Sequence, residues 1–154
     1  MPKTHLADKV EKGGPGAVNL EALERAEQVI ADLSDDYLGW VKEDMDRIQS
    51  GIDKLKSGDG DAKELLDSIF QTSHDIKGQG GSFGYDLMTT VGNDLCRFVE
   101  QIKEPTQKDT NILQLHLDTM RLIINQKIKG DGGDLGEKLL SGLDLVIQKA
   151  IREG

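Results

Sequence analysis

Apolar residues recur along most of the chain at spacings of three and four, the mark of helices with one buried face. Residues 1–18 lack this pattern. They are polar, contain Pro2 and Pro15, and carry Gly13-Gly14-Pro15-Gly16, so they read as a disordered lead. From Asn19, a plausible cap, Leu23, Ala26, Ile30 and Leu33 predict a first helix with one buried face, and Ser34-Asp35-Asp36 reads as its stop followed by a new cap. Leu38, Val41, Met45, Ile48, Ile52 and Leu55 then form a narrow stripe suited to a helix in a bundle. Ser57-Gly58-Asp59-Gly60 ends it.

A third helix is expected from about Asp61, with Ala62, Leu65, Leu66, Ile69 and Ile76 inward. It meets Gly78, Gly80, Gly81 and Gly84, which should end or interrupt it. A fourth carries Met88, Val91, Leu95, Phe98 and Ile102 and is broken by Glu104-Pro105-Thr106. A fifth carries Leu113, Leu117, Met120 and Ile124 and ends near Gly130. A sixth carries Leu135, Leu139, Leu143, Val146 and Ala150. No stretch alternates with period two, and no long repeat is visible. The expected fold is all-α: an up-down antiparallel four-helix bundle with extra N- and C-terminal helices. Residues 19–154 form one domain in this reading, with the bundle core at about 35–130.

Charge and composition narrow the function. The 154 residues include 28 acidic and 19 basic ones, a formal net charge of −9. That disfavours nucleic-acid binding and docking on an anionic membrane. Aromatic residues are 4% of the chain, too few for a base-stacking platform. No apolar run is long enough for a membrane span, and the first residues lack the apolar core of a signal peptide. The one cysteine, Cys96, has no internal partner. A cytoplasmic location is the expectation.

One segment carries candidate chemistry: Ser73-His74-Asp75-Ile76-Lys77-Gly78-Gln79-Gly80-Gly81-Ser82-Phe83-Gly84. At 100° per residue, His74 lies roughly opposite Leu65 and Ile76, away from the core. Phe70 sits one turn earlier on the same side, a candidate docking anchor. Gln71, Lys77 and Gly78 complete the outward face. Lys77 is placed to reach a negative group carried on the imidazole. Gly78 lowers helix propensity by about 1 kcal/mol relative to alanine, so it needs a reason: a helix end, or clearance for an approaching protein.

His74, Ile76, Lys77, Gly78, Gly81 and Gly84, with Phe83 before the last glycine and Leu87 to Leu95-Cys96 beyond, resemble the signature of histidine-containing phosphotransfer domains. The motif covers about a dozen residues. The resemblance implies a four-helix bundle with a solvent-exposed phosphoryl-carrying histidine in its second helix. His74 would accept a phosphoryl group from the aspartyl phosphate of a receiver domain and pass it to another receiver. Lys77 would stabilise the phosphoryl oxygens, Gly78 would leave room for the receiver, and Gly81 and Gly84 would shape the turn. Phe70, Gln71, Gly78 and Gly81 are the expected partner-binding residues. The implied partners are response-regulator receivers and a hybrid sensor kinase. The Mg²⁺ would sit on the receiver, so the chain needs no cofactor or metal of its own. No nucleotide-binding loop or kinase motif is present, which points to a phosphoryl carrier rather than a kinase.

Other readings compete. The chain could be a helical module that docks a receiver without carrying phosphate. The dimerisation helix of a sensor kinase fits less well, because Gly78 and the lack of a nearby proline depart from that pattern. A bundle metal site using His74, His116 and carboxylates is disfavoured, since the two histidines face different surroundings. His116, flanked by Ile112 and Ile123, reads as a satisfied structural histidine, Cys96 as core, and Glu43-Asp44-x-Asp46 as a solvated face. His5 lies in the lead and is given no role. The polar lead and the sixth helix favour a stand-alone protein.

Overall fold

A computed structural model describes residues 16–153. Five helices make up the described chain: α1 Gly16–Ser57, α2 Ala62–Gly80, α3 Asp86–Gln101, α4 Gln107–Asn125 and α5 Gly133–Glu153. A short 3-10 turn, Gly81–Phe83, follows α2. No strand occurs among the described residues, and none of their helices is long and apolar enough to cross a membrane. The expected lead falls outside the described residues up to position 15, as does His5.

The first two expected helices are one. α1 runs 42 residues without a break at Ser34-Asp35-Asp36. Serine and aspartate inside a helix lower its propensity by only a few tenths of a kcal/mol each. A left-handed residue is a common way to end a helix, and none occurs there. Gly58, with φ +76°, supplies it and ends the helix. The chain nevertheless divides into two compact units, with the boundary inside α1 between Leu38 and Gly39.

In the N-terminal unit the expected buried face is not buried. Ala26, Ile30 and Leu33 are exposed and Leu23 is half-buried. Periodicity reports which residues share a face, not whether another element covers that face.

The second unit holds the core. Val41, Met45, Ile48 and Ile52 of α1 are buried, with Leu66, Ile69 and Ile76 of α2, Met88, Val91 and Leu95 of α3, and Leu113, Leu117, Met120 and Ile124 of α4. Neighbouring helices in this unit run antiparallel. Gly51 lies against Ile69, its missing Cβ leaving about 3.0 Å to the Ile69 side chain. Gln49 of α1 exchanges two 2.8 Å amide hydrogen bonds with Gln114 of α4, and accepts one of 2.6 Å from Arg121. Asp61 caps α2 by accepting from the Glu64 N–H, and Thr106 with Asp109 forms a reciprocal capping box on α4.

The expected inward set of α5 is only partly right. Leu143 is buried and Leu139 and Ala150 are half-buried, but Leu135 and Val146 are exposed. This helix has apolar residues on more than one side. The face it turns inward carries Leu140, Leu143 and Ile147, which line a cleft with Phe98 and His116.

Candidate functional site

α2 does not end at its first glycine. It passes through Gly78 and stops at Gly80, with Gly84 (φ +84°) making the left-handed turn after the short 3-10 segment. His74 is therefore well inside the helix, and exposed. Position 78 lies one turn on, also exposed, and a Cβ there would meet nothing within 4 Å. Gly78 is thus neither a helix end nor an internal packing requirement. Gly80 differs: a Cβ would come within 2.9 Å of Thr89 Oγ1 and of the Tyr85 carbonyl oxygen, so close packing inside the chain accounts for it. Gly81 is exposed, with only ordinary contact available to a Cβ.

The flanks of His74 are chemically unequal. On the α3 side, the Phe70 ring stacks on the imidazole with centroids 6.3 Å apart and planes 29° apart. Phe70 is half-buried rather than fully outward. It helps line a groove of about 590 Å³ with Leu66, Val99 and Ile102 along its apolar side. Lys77, also half-buried, lies at this seam, where its charge counters the upward push that burial gives the Cys96 thiol. On the α1 side stand Asp75 and Asp44. Burial raises the Asp44 carboxyl above its ordinary value. Arg47, 2.7 Å away, opposes that, while Asp75 and Glu43 add to it. Gln71 donates to Asp75 at 3.3 Å and stays exposed.

Two residues outside the motif hold this stretch in place. Thr89 of α3 donates to the Lys77 carbonyl at 2.9 Å and accepts from the Gly81 N–H at 3.0 Å. Gly92, one turn on, lets the α3 backbone approach Lys77, where a Cβ would meet three Lys77 atoms at 3.2 Å. The signal was available in the sequence, since a glycine in the middle of an otherwise regular helix calls for either a packing or a functional reason. The turn after Gly84 is also pinned: the Gly130 N–H donates to the Gly84 carbonyl and the Leu87 N–H to the Gly130 carbonyl.

His116 does not join His74. It is buried on α4, stacked on Phe98 at 6.0 Å, with Nδ1 2.8 Å from the Ile112 carbonyl. Burial lowers its pKa, while the Ile112 bond and Asp94 pull the other way. It is a satisfied core histidine, and Cys96 is a buried core thiol.

The chain is 27% identical over 97 residues to the chemotaxis protein CheA of Rhizobium meliloti (strain 1021). The match covers 60% of this chain but 13% of that protein, so the chain spans a small part of its relative. It is a distant match, consistent with a histidine-containing phosphotransfer domain. No protein-family profile matches the chain, and no solved structure matches it significantly.

Proposed function

We propose that this chain is a histidine phosphotransfer module of a two-component phosphorelay, with His74 as the phosphoryl carrier. In this reading α2, α3, α4 and the α1 segment from Gly39 form an up-down antiparallel four-helix bundle, and α5 is an addition. The observation that carries the proposal is the exposed His74 inside α2 with Gly78 one turn on. Gly78 is a helical glycine that no contact within the chain requires. The distant likeness to a chemotaxis protein agrees with it.

A ring nitrogen of neutral His74 attacks the phosphorus of a receiver's aspartyl phosphate. The new P–N bond forms as the P–O bond to the aspartyl carboxylate breaks, and the aspartate leaves as the free carboxylate. A second receiver reverses the step. Such transfer demands in-line positioning and charge stabilisation more than covalent chemistry from the protein. Lys77 supplies a cation, the receiver supplies the Mg²⁺, and Phe70 restrains the imidazole ring. The chain acts as a phosphoryl carrier, not a kinase. Its partners are response-regulator receivers and a hybrid sensor kinase, in the cytoplasm.

The test is phosphate uptake from phosphorylated receivers by wild type and His74→Gln, with acid and base treatment of the product. Label on wild type alone, lost in acid and kept in base, is the expected result. Label that persists in His74→Gln overturns the assignment of His74. Receiver binding by both proteins without label on either identifies a docking module that carries no phosphate.

A further inference from the structure

Trp40 stands out among the exposed large hydrophobic residues. The chain has one tryptophan, two tyrosines and three phenylalanines. Both tyrosines are buried, whereas Trp40 is 48% exposed. It lies on the stripe of α1 that turns toward α2, one turn before Asp44 and in line with Gly51. Gly51 packs on Ile69 and Asp44 feels Asp75, so the antiparallel register is known at two points. Four residues back from Asp44 and four on from Asp75 bring Trp40 level with Gln79, beside the open surface at Gly78.

We infer that Trp40 is a docking anchor for the receiver domain that exchanges phosphate with His74. The inference rests on the phosphotransfer reading and adds a specific contact to it. A protein–protein interface covers about 800 Å² per partner, a patch roughly 16 Å in radius. From His74 to the level of Gln79 is about 7.5 Å along the helix at 1.5 Å per residue. One interhelical step to α1 adds about 8–10 Å sideways. Trp40 is then about 12 Å from His74, inside any footprint of ordinary size centred there. Exposed tryptophan is among the residues that dominate binding energy when a partner covers it. Glu43, Asp44 and Asp75 give this flank negative charge, and Arg47 pairs with Asp44 at 2.7 Å. The complementary receiver therefore presents an apolar recess edged by lysine or arginine. Lys77 marks the opposite flank, which gives the docked partner one orientation.

The experiment compares wild type, Trp40→Ala and Trp40→Phe in two reactions. One is phosphoryl transfer from receiver domains of the same genome, each charged with acetyl phosphate. The other is labelling of His74 by phosphoramidate, a small P–N donor that reaches the imidazole without docking. Expected for Trp40→Ala is at least a tenfold fall in receiver transfer, about 1.4 kcal/mol, with phosphoramidate labelling unchanged. Trp40→Phe should recover most of the loss. Transfer by Trp40→Ala at the wild-type rate overturns the inference, and so does a parallel fall in both reactions, which would place the defect in the fold or in His74. If wild type takes label from neither phosphoramidate nor any receiver, the reading of His74 fails and the docking role fails with it.

Discussion

Gly92 of α3 lies against the backbone of Lys77, three residues beyond His74, so closely that a Cβ at position 92 would sit 3.2 Å from the Lys77 N, Cα and Cβ atoms. The helix that carries His74 is thus seated on α3 with no spare room. Gly92→Ala should press the two helices apart by a few tenths of an ångström beside the candidate site, even though alanine is the better helix former. Overpacking of this kind destabilises by about 1–3 kcal/mol. Urea unfolding should show the loss, and a variant as stable as wild type would mean the seam can yield.

Gly78→Ala should do the reverse. The site is helical and open, so alanine should raise stability by about 0.5–1 kcal/mol. It also places a methyl group one turn from His74, where the receiver would approach. A more stable protein with slower phosphoryl transfer is the expected pair of results. A gain in stability with transfer unchanged would remove the clearance role from Gly78.

His116 gives the protein a pH dependence apart from its function. Burial holds its folded-state pKa below the unfolded value of about 6.5. Between the two values the unfolded chain binds more protons, so stability rises with pH across that window. The contribution is complete above about pH 6.5 and is lost as pH falls toward the folded value. The slope from this one group cannot exceed about 1.4 kcal/mol per pH unit. Denaturation midpoints measured from pH 7.5 to 5 should fall in wild type, and less steeply in His116→Gln.

The paired amides of Gln49 and Gln114 tie α1 to α4, with Arg121 adding a third bond. A double-mutant cycle with Gln49→Ala and Gln114→Ala should give a coupling of about 0.5–1.5 kcal/mol. Strict additivity would show that the pair contributes no stability of its own.

Much of the fold was legible because its stripes are narrow. Val41, Met45, Ile48 and Ile52 can face only one way, and they are buried. The segment from His74 to Gly84 was legible because glycine at these positions conflicts with helix propensity unless the backbone demands it, and Gly80 and Gly84 show two such demands. The break expected at Ser34-Asp35-Asp36 misjudged residues that favour helix ends but tolerate helix interiors. The exposure of Ile30 and Leu33 was hidden because a single stripe carries no information about what lies opposite. α5 was misoriented for a related cause: Leu139, Leu143 and Val146 compete with Leu140, Leu143 and Ile147, and only packing against α3 and α4 separates them. Thr89 acts across a helix–helix seam, so its role depends on register rather than on neighbours in sequence, whereas Gly92 was visible as a mid-helix glycine but its partner Lys77 was not.

The position of the single indole also decides what light can report about this protein. Trp40 is already half open to water in the native chain, so its emission wavelength should shift little on unfolding while the helical circular dichroism signal collapses. Its carboxylate surroundings, Glu43, Asp44 and Asp75, should shield it from iodide and concentrate caesium around it. Collisional quenching by the two ions should therefore differ in the native state and converge in denaturant, giving an optical gauge of one surface that is insensitive to the core.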